Sequence, residues 1–366
     1  MRVIVSGYYG FGNVGDEAML AGLMAGMKEA AGDAEFVILS GNPASTSAVH
    51  GVRAIARFDL RALRRELVDA DLLISGGGSL FQDATSARSC LYYLYLIRQA
   101  LKARVPVMVL GQGIGPLRRR WLRALTGFYL RRVQGIAVRD SESARALQRL
   151  GIGGPAVRVA ADLSLAMALP AAGDVSRAYG DLGVRDGEPV LAIAPRTWRI
   201  QGVGAEFAAP LARAIGRAVS QIEPRPRVVV FPMQRPRDEE VCRDVAEAVG
   251  GISVEAQLSA PLLAGMMGRA RTVVAVRLHA LIFAAMGGSM PVAVSYDPKV
   301  QAFMADLGLP AAATTDRLDE ERLATAIVEA WNADGAARER VRRILEERRD
   351  VVRDVFRWAA ETARGR

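Results

Sequence analysis

TVVAVRLHALIFAAMG, residues 272–287, carries the plainest statement of fold in the chain. Residues 272–276 are apolar and mostly β-branched, the composition of a short buried strand, and residues 280–286 have the apolar character of a buried helix. Arg277 and His279 stand between the two runs, where a strand ends and a helix begins. In open α/β sheets that edge receives the ligands. The chain has only two histidines, so one placed here asks for a reason. A hydrogen-bonded packing role and a functional role both remain open from this segment alone.

The same strand–turn–helix unit recurs on either side. In the first half, strands are expected at 2–6, 35–39, 71–75, 106–110, 135–138 and 157–160, and helices at 16–31, 60–70, 91–103, 121–132 and 141–150. Residues 168–187 mix Pro, Gly and Asp without periodicity and read as a linker. The pattern then restarts, with strands at 190–194, 227–231, 272–276 and 291–295 and helices at 207–222, 239–249 and 319–332. Alternating strands and helices with glycines after the strands indicate parallel, doubly wound α/β sheets. The expected architecture is two Rossmann-like domains, 1–167 and 188–334, facing a cleft in a GT-B-like arrangement. A last helical segment, 335–366, is expected to pack back on the first domain.

Bulk properties exclude several classes. Of 366 residues, half are apolar, so the chain is globular, with core enough for two domains. The net charge is +9, yet Lys28, Lys102 and Lys299 are the only lysines. So strong a preference for arginine can come from genome composition, which makes the positive charge weak evidence for a polyanionic partner. No basic motif is interleaved with aromatics, so nucleic acid is not expected as a partner. Cys90 and Cys242 lie far apart with no metal-ligand spacing, which suits a reducing cytoplasm and speaks against a disulfide framework or a metal site. The opening MRVIVSGYYG has too short an apolar run for a signal peptide, and no stretch approaches the roughly 20 apolar residues of a membrane span. The basic segment from Arg118 to Arg132 allows peripheral contact with anionic headgroups or a plain solvated face.

The first domain has three glycine clusters after strands: residues 10–15 (GFGNVG), 76–78 (GGG) and 111–116 (GQGIGP). The first satisfies G-x-G-x-x-G, the dinucleotide pattern. Two features weigh against a dinucleotide. The second strand ends in Ser40-Gly41-Asn42, without an acid for a ribose. The first helix opens with Asp16 and Glu17, which would repel a pyrophosphate. These two carboxylates are instead candidates for orienting or deprotonating an acceptor hydroxyl, with helix-start residues as the plainer reading. Asn13, Gly77, Gln82 and Asp83 lie on the same edge and are candidate acceptor contacts.

In the second domain the strand ends are charged. Arg196, Gln234, Arg235, Asp238, Arg277, His279 and Lys299 all follow strands, and in a parallel sheet such ends share one side. Two arginines, a lysine and a histidine gathered there suit a small, multiply charged anion. A lysine kept in an arginine-biased chain suggests a need for a compact point charge at Lys299.

Taken together, these stretches resemble the polysaccharide pyruvyl transferase family, closest to the CsaB type. The resemblance runs through SGYYGFGNVGDEAML at 6–20, ISGGGSLFQDATS at 74–86, GQGIGPL at 111–117, VRDSES at 138–143, PRTW at 195–198, RLHALIFAA at 277–285 and SYDPKV at 295–300. It departs from the family at Asp162-Leu163, where a proline usually follows the aspartate. The resemblance implies a GT-B-like fold and transfer of pyruvyl from phosphoenolpyruvate to a sugar, typically N-acetylmannosamine of a lipid-linked secondary cell-wall polysaccharide. The product would be the 4,6-ketal that anchors S-layer proteins. On this reading Arg196, Arg277, Lys299 and His279 bind the donor, His279 is the acid, and Asp16 or Glu17 is the base. Asn13, Asp16, Gly77, Gln82 and Asp83 hold the acceptor. No cofactor and no metal are expected. The protein is expected in the cytoplasm, with peripheral contact at the inner membrane face. The competing reading is a nucleotide-sugar glycosyltransferase on the same fold.

Overall fold

A computed structural model describes residues 1–84, 86–197, 208–295, 297–315 and 318–365. Thr85, Trp198, Phe207 and Tyr296, each part of a motif or helix expected above, lie outside the described residues. The chain forms two compact units, Met1–Ala168 with Glu347–Arg366, and Leu169–Glu346.

The first unit runs β1 (Arg2–Tyr9), α1 (Val14–Ala31), β2 (Glu35–Ser40), α2 (Pro43–His50), β3 (Arg53–Ala56), α3 (Leu60–Val68), β4 (Leu72–Gly76), α4 (Ala87–Lys102), β5 (Val107–Gln112), α5 (Arg120–Leu130), β6 (Gly135–Val138), α6 (Ser141–Arg149) and β7 (Val157–Val159), followed by a 3₁₀ turn at Leu163–Ala166. Its seven strands are parallel in the order β3-β2-β1-β4-β5-β6-β7. β4 and β5 are buried along their whole length, as unbroken apolar strands must be when helices cover both faces. α1 is buried almost all round because two glycines let neighbours reach its backbone. A Cβ on Gly26 would meet the Phe356 ring at 2.0 Å, and one on Gly22 would meet the Leu163 carbonyl at 2.0 Å.

The second unit holds α7 (Ala172–Asp181), β8 (Val190–Ala194), α8 (Ala208–Val219), β9 (Arg227–Val230), α9 (Glu239–Val249), β10 (Ile252–Ser253), α10 (Ala260–Arg269), β11 (Thr272–Ala275), α11 (Leu278–Gly287), β12 (Met290–Ser295), α12 (Pro298–Asp306), β13 (Ala313–Thr314) and α13 (Glu320–Trp331). Its six strands are again parallel, in the order β10-β9-β8-β11-β12-β13. α14 (Gly335–Arg364) starts in this unit and ends in the first. Its arginines make i,i+3 pairs with Glu339, Asp350 and Asp354. The opposite face buries Val352, Val355, Phe356 and Ala359, so the helix is amphipathic rather than merely exposed.

Both sheets reverse their order at one place, between β1 and β4 and between β8 and β11. At such a switch point the flanking crossovers diverge and leave a crevice beyond the strand ends.

The stretch 168–187, read as linker, carries α7. Val175 and Tyr179 supply its one buried i,i+4 pair, too little for a visible period. The helix holds because Tyr179 donates to the Met266 carbonyl at 2.6 Å and because Gly265 of α10 admits Pro170 and Val175. α2, α10 and α12 also escaped the periodicity. Each opens with proline at its first or second position, a favourable helix start that reads as a breaker when taken alone. Among the described residues no helix is long and apolar enough to cross a membrane.

Candidate functional site

In the second unit Arg196 follows β8 and Arg277 follows β11, the two strands of the switch point, which run in register up to Ala194 and Ala275. His279 is the second residue of α11 and Lys299 the second of α12. The topology thus brings Arg196, Arg277 and His279 to one crevice, with Lys299 one strand further along. Arg196, His279 and Lys299 are partly exposed, whereas Arg277 is buried.

Arg277 does not stand alone. Its Nη2 donates to Asp238 Oδ1 at 2.7 Å and to Gln234 Oε1 at 3.2 Å, and the Asp238 side chain has no solvent exposure. The other oxygen, Asp238 Oδ2, accepts the Gln234 amide at 2.9 Å. Asp238 is the N-cap residue of α9, yet its side chain does not cap the helix; it serves the arginine instead. The guanidinium is therefore fixed and partly neutralised, while its buried Nε has no hydrogen bond. Lys299 also has a carboxylate at hand, with Nζ 3.4 Å from Asp297 Oδ2. Arg277 and Lys299 thus each have a carboxylate beside them. Thr197 Oγ1 donates to the Arg237 carbonyl at 2.7 Å and ties the loop after β8 to the loop after β9. Arg277 is the N-cap of α11 and makes no side-chain cap bond, so the start of that helix lies at the crevice, where helix N-termini favour anions.

The first unit has a switch point of opposite character. Asn13 is the N-cap of α1, its Oδ1 accepting the Gly15 amide at 3.2 Å and its Nδ2 donating to Asp16 Oδ2 at 2.5 Å. Asp16 is 8% exposed, and a Cβ built on Gly78 would lie 3.5 Å from its Oδ1. Asp16 therefore borders the loop after β4, where Gly77 and Gly78 have φ of +69° and +81°, a left-handed conformation that suits glycine. Glu17 points elsewhere. Its Oε1 accepts the Gly10 amide at 2.8 Å and its Oε2 pairs with His50 Nε2 at 2.8 Å. Oε1 thus braces the glycine loop and Oε2 holds His50 of α2, so Glu17 is committed to two contacts within the first unit.

Asp83 also has a different place from the one expected. Its carboxylate is buried and accepts the amides of Arg118 at 2.7 Å and Arg119 at 2.8 Å. Burial works to raise its pKa, but those two amides and the Arg119 guanidinium outweigh it and hold the carboxyl below its ordinary value. It pins the approach to α5 and offers no oxygen to a sugar. Gln82, beside it, is partly exposed.

Sequence reasoning missed the groups that hold this edge. Gln112 is fully buried, takes the Leu80 amide at 3.1 Å and donates to the Gly77 carbonyl at 2.6 Å. Tyr9 donates to the Gly76 carbonyl at 2.8 Å. Burial first, then the Asp16 and Glu17 carboxylates, raise the Tyr9 pKa well above its usual value, so it stays a donor. A glutamine between two glycines at a strand end was the one available signal. Asp238 had been noted as a strand-end charge, and a buried arginine requires such a partner. Among the described residues no three His, Cys, Asp or Glu side chains gather as a metal-ligand set.

The fold is that of two-domain Rossmann-like, GT-B-like proteins. The chain is similar to UDP-GlcNAc 2-epimerase from Neisseria meningitidis bound to UDP-GlcNAc, with 11% identity, full coverage of both chains and a TM-score of 0.63. Anabaena Alr3699/HepE in complex with UDP-glucose gives 13% identity, full coverage of both and 0.63. S. aureus MnaA with UDP gives 12% identity over 98% of this chain and 94% of that one, also at 0.63. At these identities the likeness is one of fold. The family is set by sequence: the polysaccharide pyruvyl transferase profile matches residues 13–298, and the chain belongs to that family. It is accordingly a transferase with a saccharide substrate. No curated protein matches the chain.

Proposed function

We propose that the protein transfers pyruvyl from phosphoenolpyruvate to N-acetylmannosamine of a lipid-linked secondary cell-wall polysaccharide, making the 4,6-ketal used in S-layer anchoring. The observation that carries this reading is the meeting of Arg196, Arg277 and His279 at the β8/β11 switch point. Phosphoenolpyruvate has a carboxylate and a phosphate. Guanidinium forks and the amides of α11 suit such oxygens, and the Lys299 ammonium adds a point charge.

In the reaction, His279 gives a proton to the methylene carbon of the donor, which becomes the methyl group. The first sugar hydroxyl bonds to the adjacent carbon and loses its proton to Asp16. The carbon–oxygen bond to phosphate then breaks, and phosphate leaves with the electron pair. The second hydroxyl takes its place and gives up a proton, so one donor and two hydroxyls yield one ketal and one phosphate. This balance calls for no resident cofactor.

The test is phosphate release from phosphoenolpyruvate with a synthetic lipid-linked disaccharide acceptor. His279→Ala is expected to lose about a hundredfold or more in turnover and Lys299→Ala to weaken donor binding, both with native melting. Near-normal turnover in His279→Ala removes the acid assignment. Thermal shift with phosphoenolpyruvate, UDP-GlcNAc and NAD in parallel separates this reading from a nucleotide-sugar transferase, since a ligand of the native state raises the midpoint.

A further inference from the structure

The excess positive charge of the chain has an address. Residues 84–139 contain 11 Lys and Arg and no Asp or Glu, whereas the remainder has 37 basic and 39 acidic residues. This stretch comprises α4, β5, α5 and β6 with their loops. β5 is buried throughout, so the charge is carried by the two helices and the loops around them, and α4 and α5 pack on each other.

α5 is the more informative of the two. Leu122, Thr126, Gly127 and Leu130 turn inward. Outward stand Arg120, Trp121, Arg123 and Phe128, with Arg118 just before the helix and Arg132 just after it. Trp121 and Phe128 are 52% and 44% exposed. Seven residues apart, they lie two turns along one face. The Arg132 guanidinium sits 3.6 Å from the Phe128 ring centroid. A merely solvated arginine-rich face looks different, and α14 of this same chain provides the comparison: its arginines alternate with carboxylates that pair with them at i+3. α5 has none of these carboxylates and has two large aromatics in their place. Nor is the face loosely held. Asp83 grips the backbone amides of Arg118 and Arg119, so the start of α5 is fixed at the strand-end edge, next to Gln82.

We infer that the exposed face of α5 is a docking surface for an anionic phospholipid bilayer. Arginine guanidiniums meet the headgroup phosphates while Trp121 and Phe128 enter the interfacial layer, where amphipathic and aromatic side chains are most at home. Charge complementarity selects this occupant: an acid-free face attracts an anionic surface, and two exposed rings spaced two turns apart beside the arginines, an interleaving the sequence reading did not expect, suit the interfacial layer of a bilayer. The inference stands apart from the pyruvyl reaction because its readout is binding rather than turnover.

The test is co-sedimentation of the full-length protein with vesicles of phosphatidylglycerol or of phosphatidylcholine. The wild type is expected to bind the first and not the second, and salt should weaken the binding. Each surface arginine is worth about 1 kcal/mol near an anionic leaflet, so Arg120→Gln with Arg123→Gln should lower partitioning about 30-fold. Trp121→Ala with Phe128→Ala should lower it severalfold. Arg340→Gln with Arg343→Gln, exposed positions on α14, removes the same net charge and should leave binding intact. Because all these side chains are exposed, the melting midpoints should stay at the wild-type value. Equal binding to both lipids, or to neither, overturns the inference. So does a loss in the α14 control matching that in α5. Undiminished binding by the aromatic variant reduces the face to a general polyanion attractor, which also overturns it.

Discussion

Asp238 is the residue whose removal tests the second unit most severely. Its carboxylate has no solvent exposure and meets the Arg277 guanidinium at 2.7 Å, and its second oxygen holds the Gln234 amide at 2.9 Å. Asp238→Ala strips a buried cation of its counter-charge and leaves a backbone amide without its acceptor. The guanidinium is largely shielded from water, since the Arg277 side chain keeps only 11% of its exposure. Breaking a buried ion pair from one side costs about 3–5 kcal/mol. Replacing both members by apolar residues of similar volume, Asp238→Leu with Arg277→Met, should recover most of that loss, since no charge remains to be solvated. A double-mutant cycle should therefore return a coupling of about 2–3 kcal/mol. Urea unfolding gives the free energies, and amide exchange in peptides covering 272–287 reports whether the loss is local to β11 and α11. A cost for Asp238→Ala below about 1 kcal/mol, the range of a surface pair, would refute the buried-pair reasoning. So would a double variant as unstable as the sum of the singles.

Three further outcomes follow from the geometry. Asp16→Asn is expected to slow turnover about a hundredfold with the melting point kept, while Glu17→Gln loses about 1–3 kcal/mol of stability and keeps most of its rate; the opposite pattern would exchange their roles. Gly287→Ala should destabilise by about 1–3 kcal/mol through overpacking, read as the urea midpoint, because a Cβ there would lie 2.2 Å from the Gly268 Cα where α10 and α11 cross. Asp83 has a folded-state pKa below its unfolded value, so its stabilisation is present above roughly pH 4 and is lost as pH falls through the folded-state value; in Asp83→Asn the acid side of the stability profile should flatten, and an unchanged profile would deny the carboxylate this role.

The parts of this molecule that were readable in advance are those encoded locally. An apolar run followed by glycine and a helix announces a parallel α/β unit wherever it occurs, and Arg277 and His279 were found because they interrupt such a run. What stayed hidden depends on topology. Asp238 reaches Arg277 across 39 positions of sequence because β9, β8 and β11 are neighbours in the sheet, an order that periodicity does not reveal. His50 finds Glu17 across 33 positions because β1 and β2 lie side by side. Asp83 was misjudged for a related reason. As a polar residue in the loop after a strand it reads as an acceptor contact, but two successive amides from the next crossover need an acceptor, and its carboxylate is the group within reach. Burial of a polar side chain is a property of what arrives from elsewhere in the chain, so composition alone misses it.

The two switch points present different side chains, and that difference bears on what each is proposed to hold. Beside the β1/β4 crevice the buried carboxylate of Asp16 stands among glycine loops, and the amide of Gly10 is already spent on Glu17. An anion brought there would meet a negative group in surroundings that screen poorly, at a cost of about 4 kcal/mol for unit charges 4 Å apart at intermediate dielectric. A neutral polyol meets no such cost and presents hydroxyls that a carboxylate can accept. Beside the β8/β11 crevice stand Arg196 and Arg277, with Asp238 against the Arg277 guanidinium. A doubly wound sheet supplies the crevice in both units. The side chains at its edge differ between the two units, and the proposed division, saccharide on the first and anionic donor on the second, rests on that difference.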